Sequence, residues 1–349
     1  MTPPVTLPEA AGPQDAVTVV PPRRAGSIRR TTNIDTLRPD GLHGDAVIDA
    51  RARDLRTNQD GSDAVVAEAT LQARVSPTRQ LLSISTTPAV PALAPLVGAT
   101  VGPGFRSRVN DLAADGCDDG SLLYLLLDDL PGATLVSGYA LHHAGSLDGA
   151  PRPDGARPET ARPPVELNAQ GDVCAGWAHD ATMMLHVREK GTVPVPIGPP
   201  APTLEADGDP ESWHVMAALP PHSVRRRRRL DVIAPPAGET YHQVDLHFRD
   251  SHVDDRGRET VMHEYTIGGA VDLMADKVLH VSARAHVLPW MECPGALASA
   301  ARLDGMDLSV LRTRVRKEFV GRSTCTHLND SLRSLADIAA LSRELEPPV

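Results

Sequence analysis

The stretch that decides the fold occurs twice. "RRTTNIDTLRPDGLHGDAVIDARARDL", Arg29–Leu55, lies over "RRRRRLDVIAPPAGETYHQVDLHFRDS", Arg225–Ser251, without a gap: Ile34-Asp35 meets Leu230-Asp231, and Arg53-Asp54 meets Arg249-Asp250. In the same register Val65, Glu68 and Thr70 meet Val261, Glu264 and Thr266. With small shifts "LLSIST" from Leu81 meets "VLHVSA" from Val278, "GATVGPGFRSRV" from Gly98 meets "GMDLSVLRTRV" from Gly305, and "CDDGSLLYLLLDDL" from Cys117 falls near "CTHLNDSLRSLADI" from Cys325. This reads as an internal duplication of about 110–120 residues per copy, the size of a small domain.

Each copy starts with strand-like alternation. In the second, Val244, Leu246 and Phe248 share one face while Asp245, His247 and Arg249 take the other, the period-two pattern of a half-buried strand. "DDRG" at Asp254 is a turn, "TVMHEYTI" a second strand, and Leu279, Val281, Ala283, Ala285 and Val287 mark one side of a third. After Pro289 the pattern turns helical: from Ala296, from Leu311 to Phe319, and from Cys325 to Glu344. The expected fold class is α+β, with two homologous antiparallel-sheet-plus-helices domains forming an intrachain pseudo-dimer. The expected boundaries are a disordered tail over 1–26, a first, degenerate repeat over 27–145, and a Pro-rich connection over 146–221. The second repeat covers 222–345. Within the connection, the apolar stretch around 173–187 is expected to dock, across the seam between copies. "GATVGPGF" at Gly98 lacks the strand–GxGxxG–helix order of a dinucleotide site and reads as a turn into a helix.

Composition narrows the function classes. Of 349 residues, 41% are hydrophobic and 3% aromatic, so the core is built from aliphatic side chains. A net charge of −10 argues against general affinity for nucleic acid or anionic lipid. The basic run Arg225–Arg229 reads as a solvated lead-in to a strand, or as an anion contact. There is no signal-peptide pattern, and the longest apolar run, Leu122–Leu127, is too short to span a bilayer; the expected location is cytoplasmic, with no membrane and no nucleic-acid partner. Four cysteines do not make a disulfide framework in a chain of this length. The oligomeric state is left open.

The copies differ where chemistry would sit. The second inserts "LPWMECPGA" before its helices and carries Cys325 and His327, where the first has Cys117 and Asp119. Continuing the apolar faces by two residues places Asp54 and Asp250 toward the buried side, and buried carboxylates need a partner. For Asp54 a buried ion pair is the preferred reading; for Asp250 an ion pair and a functional role stand level. "HEYTI" at His263 is not a zinc HExxH, since the second His is missing and the segment is a strand.

"CPGA" at Cys293, "RVRKEFVG" at Arg314 and above all "CTHL" at Cys325 resemble the C-terminal signature of a bacterial domain-of-unknown-function family, DUF2889, over about Arg225–Leu341; the composition is similar to that of an actinobacterial member. The resemblance implies a label and no mechanism.

Three readings of the Cys/His set stay open. In the first, Cys293, Cys325, His327 and Asp250 hold a divalent metal, zinc favoured, in an enzyme acting on a small molecule at the seam between repeats, with Asp250 and His327 as its catalytic residues. That reading requires Cys325 or His327 to precede the regular helix, because residues i and i+2 of a helix point about 200° apart. In the second, Cys325 is activated by a helix N-terminus, with His327, His247 or His286 as base, or pairs reversibly with Cys293. In the third, the protein is a non-catalytic binding or assembly module. Ser323 or Thr324 caps the helix, and the Cys and His residues are structural. Cys174 and Trp177 read as packing of the connection, or as lining of the seam.

Overall fold

The alternation in the two aligned stretches folds into eight strands of one sheet. The computed structural model describes residues 5–112, 117–144, 171–206, 208–236 and 238–345. The strands are β1 (Ser27–Leu37), β2 (Ala46–Thr57), β3 (Asp63–Val75), β4 (Leu81–Thr87), β5 (Val224–Ile233), β6 (Tyr241–Val253), β7 (Glu259–Asp272) and β8 (Lys277–Val287). Their spatial order is β4-β3-β2-β1-β5-β6-β7-β8, every neighbour antiparallel. The first strand of each half pairs with the other, Thr31 opposite Arg229, so the sheet runs unbroken across the seam. Equivalent hairpins turn at Gly61 and Gly257, both at positive φ, where a side chain would be strained. Equivalent register shifts follow Asp54 in β2 and Asp250 in β6.

One face of the sheet carries helices α1 (Phe105–Leu112), α2 (Leu122–Val136), α5 (Leu308–Glu318), α6 (Thr326–Ser334) and α7 (Ile338–Ser342), with α3 (Gly138–His143) after α2 and α4 (Thr182–Lys190) in the connection. Ser121 starts α2 by accepting from the Tyr124 N–H at 3.2 Å. The helix read from Cys325 to Glu344 is interrupted by a single 3₁₀ turn, Leu335–Asp337. The Ala-rich segment Cys293–Leu303 is itself 3₁₀. Aliphatic side chains form two main cores, one under β1–β4 with Leu71, Leu96 and Leu127, the other under β5–β8 with Phe248, Leu311 and Leu332.

Between those cores the interior is charged. Arg30 grips Asp54 bidentately at 2.8 and 2.7 Å and reaches Asp337 at 2.8 Å. In the other half Arg226 grips Asp250 at 2.9 and 2.9 Å and reaches Asp330 at 2.7 Å. Arg228 crosses to Asp129 on α2 at 2.6 Å. Asp128 on α2 receives Arg106, Arg312, Arg316 and Arg333, at 3.1, 3.4, 2.5 and 3.0 Å. Those guanidinium charges hold its carboxyl far below the usual carboxylate range, overcoming the opposing effect of its burial. The seam between the repeats, expected to receive a small molecule, is therefore filled with ion pairs.

Four further sequence expectations are corrected. Arg225–Arg229 is not a solvated lead-in: all five side chains are buried, because the even-numbered ones face helix carboxylates and the odd-numbered ones face a second cover. That cover includes the N-terminal segment expected to be a disordered tail. Ala10 is 2% exposed, Asp15 N–H bonds the His286 carbonyl at 2.9 Å, and Val17 N–H bonds Glu264 at 2.8 Å. The 173–187 stretch docks too, but on the second half and not across the seam: Met183, Met184 and Val187 join the core that contains Cys293, and Trp177 packs against it; later in the connection Glu211 and His214 bond Arg53, Thr31 and Asn33 of the first half. Leu279 is 45% exposed, since a register shift between Ala270 and Val271 breaks the alternation of β8 there.

Removing one partner from a buried ion network leaves charges uncompensated and costs about 3–5 kcal/mol. Asp128→Asn is expected to lower stability by that amount in urea denaturation, and Asp49→Asn, at a part-exposed pair with Arg51, by far less. A pH effect comes from the opposite face. Burial lowers the His214 imidazole to about 3 and His247 to about 4. The unfolded chain takes up these protons near pH 6.5 and the folded chain does not, so the stability is whole above that pH and is lost progressively as pH falls toward 4. Denaturation midpoints measured from pH 7.5 to pH 5 are expected to fall, and less in His214→Gln.

Candidate functional site

The site begins with a hairpin. β6 and β7 pair so that Asp250 lies opposite His263, and directly cross-strand residues share a face. Both lie on the helix side, where α6 starts. Cys325 is the residue before that helix, with extended backbone (φ −134°, ψ 132°), so the chain turns between Cys325 and His327. This brings His327 over the hairpin: its ring stacks on His263 with centroids 3.5 Å apart and planes 16° from parallel. His327 Nε2 is 3.6 Å from Asp250 Oδ2. One ligand atom from each of Asp250, His263 and His327 lies within 4.8 Å of the other two, the one such group among the described residues.

Three features set the electrostatics. Asp250 is fully buried, and both its oxygens already accept from Arg226, whose guanidinium also sits 5.0 Å over the Phe248 ring. Burial, then the nearby Arg226, pushes His327 down to about 3; burial and the neighbouring His327 push His263 well down. Both imidazoles are neutral at neutral pH, the form that binds a metal. Among the described residues, His263 Nδ1 and His327 Nε2 are buried with no hydrogen-bond partner. Polar groups in that condition call for a ligand or a water.

The sequence-predicted residues divide. Asp250 and His327 come together as expected. Cys325 Sγ lies 3.7 Å from His327 Nδ1 and accepts from the Tyr265 hydroxyl at 3.2 Å, so it stands behind the imidazole. Cys293 lies in the 3₁₀ segment, packed against Gly176, where an added Cβ would come 2.5 Å from its sulfur. Neither cysteine belongs to the group of converging ligand atoms. Activation of Cys325 by the helix N-terminus is outweighed: burial pushes its thiol up, against the opposing hydrogen bond from Tyr265. Cys293 is pushed well up and Cys174 to about 12, again by burial first. The cap expected from Ser323 or Thr324 is not made; Thr324 Oγ1 bonds the Gly321 carbonyl at 2.9 Å. His247 and His286 lie on the other face of the sheet, bonded to Glu264 and Thr266, out of reach as bases for Cys325.

His263 is the residue that sequence reasoning missed. The alignment of the two stretches contained the signal: in its gapless register His263 stands opposite Ala67, beside the matched Glu68 and Glu264.

Residues 224–341 match the model of a family described as a protein of unknown function (DUF2889). The match runs from β5 through α7 and contains Asp250, His263 and His327. No curated protein and no solved structure is matched by the chain. Among the described residues, no helix is long and apolar enough to cross a membrane.

The buried thiols give a direct check of this geometry. Iodoacetamide at neutral pH is expected to modify Cys293 and Cys325 far more slowly in the folded chain than in urea, as followed by mass spectrometry. Rapid labelling of Cys325 in the folded chain would contradict the enclosure described above.

Proposed function

We propose, for a chain whose residues 224–341 belong to the DUF2889 family, a metal-dependent enzyme whose centre is Asp250, His263 and His327. The observation that carries this reading is the pair of buried, unpartnered imidazole nitrogens beside a carboxylate. Three protein ligands leave coordination positions for water or substrate, as catalytic zinc sites and two-histidine-one-carboxylate iron sites do. A bound divalent ion would polarise a substrate oxygen or activate water. His327 Nδ1 would then be free to donate to Cys325, the kind of outer hydrogen bond that fixes a ligating tautomer. Parallel rings 3.5 Å apart cannot both aim in-plane lone pairs at one ion, so binding requires one ring to tilt out of the stack. The substrate is a small molecule approaching on the side where the His327 side chain keeps 14% of its surface exposed.

The duplication belongs to the same proposal. Two copies related by an approximate two-fold axis through the β1–β5 pair account for the mirrored strand order and the matched register shifts after Asp54 and Asp250. The first copy keeps the Arg–Asp clasp and has Ala67 and Asp119 in place of His263 and His327, so it keeps the frame and not the centre.

A second reading has its own observation. Cys325, His327 and Asp250 lie in line, sulfur to Nδ1 at 3.7 Å and Nε2 to carboxylate at 3.6 Å, the order of a thiol nucleophile, its base and the group that orients the base. The thiol is only 5% exposed and its pKa is raised, which favours the metal reading.

Elemental analysis and equilibrium dialysis against zinc separate the two. Wild type purified without a metal column is expected to hold or take up about one ion per chain. His263→Ala and His327→Ala should lose it, and Cys293→Ser should retain it. Absence of uptake by folded wild type rejects the metal centre, and uptake lost only in a cysteine variant moves the ion to the thiols.

A further inference from the structure

On the sheet face away from the helices, Arg229 and Trp213 border a cavity of about 70 Å³. The N-terminal segment from Val17 to Pro21 covers it, and Asp245 and His247 lie on the sheet beneath. Arg229 is 2% exposed and Trp213 3%. The guanidinium spends Nη2 on Asp245, and its Nε stands 3.6 Å from Asp231, too far for a hydrogen bond. Among the described residues, Arg229 Nε, Arg229 Nη1 and Trp213 Nε1 are all buried donors without an acceptor. Each such donor is costly to bury unless something accepts from it. The space exceeds the roughly 10–15 Å³ that a single water needs.

From this geometry we infer a binding site for a small carboxylate with a short aliphatic tail, independent of the metal centre on the opposite face. The head group is set by the donors. A carboxylate's oxygens accept from a guanidinium edge and from an indole N–H. A phosphate would bring a second negative charge next to Asp245 and Asp231, with Arg29 already committed to Asp231 at 2.7 and 2.8 Å and Arg249 to Glu264 at 2.6 Å. The tail is set by the cover, since Val17, Val19, Val20 and Pro21 offer only apolar side chains. Val19 is 77% exposed, which places the open end beside the segment itself. The covering segment is tied down through the Val17 N–H on Glu264 and the Val17 carbonyl on Arg249, so the site has a fixed roof.

The test is isothermal calorimetry of the full chain with butyrate, with butanol as the uncharged analogue and inorganic phosphate as the competing anion. Butyrate is expected to bind saturably, butanol and phosphate at least tenfold more weakly. Trp213→Phe, which keeps an apolar ring and removes the N–H, should weaken butyrate about tenfold, and Arg229→Met should abolish it. If Arg229→Met does not fold, as judged by circular dichroism, Trp213→Phe decides alone. No saturable butyrate heat, equal binding of butanol, tighter binding of phosphate, or unchanged affinity in Trp213→Phe would each overturn the site.

Discussion

The structure depends on arginines and aspartates buried where its two halves meet. A continuous sheet with helices over one face would ordinarily close its centre with aliphatic side chains. Here the central strands present Arg30, Arg226 and Arg228 to the helices, and α2, α6 and the turn after it answer with Asp129, Asp330 and Asp337, while Asp128 on α2 gathers arginines from the helices themselves. Desolvating so many ions is costly and is offset only when each is paired with good geometry, which the bidentate clasps on Asp54 and Asp250 provide. Such pairing fixes register: sliding β1 against β5 by one residue would turn Arg30 and Arg226 to the other face and leave the helix carboxylates bare.

That constraint explains how the halves differ at the centre while sharing their frame. Arg30 with Asp54 and Arg226 with Asp250 are the same clasp at equivalent positions, and both are needed to close the interior. The positions beside them are less bound by the frame. Opposite Asp54 the first half has Ala67, and opposite Asp250 the second has His263. Asp119 reaches Arg312 at 2.7 Å and so serves the ion network, whereas His327 stacks over the hairpin. The carboxylate is thus a frame residue in both halves, and the pair of imidazoles is what the second half adds.

Much of this was legible in the sequence. The period-two alternation pointed to the strands, and the burial of Asp54 and Asp250 followed from strand parity. Two things were not legible. Arg225–Arg229 looks solvated because five cations in a row carry no sign of their partners; those partners lie on β1, β6, β7, α2 and α6, up to 190 residues away. The second cover on the sheet was hidden for a related reason. Residues 5–21 show no strand or helix periodicity, since beyond one 3₁₀ turn at Pro8–Ala10 they are held to the sheet by single backbone N–H bonds such as Asp15 to the His286 carbonyl and Val17 to Glu264, and composition alone reads them as a tail.

At the candidate site the sequence pointed to the start of α6, and the structure gathers other companions around His327 there. Cys293, Cys325 and His327 stand out by residue type, but type does not say which side chains share a surface. The antiparallel pairing of β6 with β7 does: it sets His263 directly across from Asp250, and the extended backbone at Cys325 swings His327 over both. Asp250 then has two duties, holding Arg226 in the frame and offering Oδ2 to the imidazoles. A carboxylate has lone pairs for both, but Arg226 draws its charge away from any second cation. In the proposed metal centre the clasp that stabilises the fold would therefore weaken Asp250 as a ligand, and the two neutral imidazoles would supply most of the affinity.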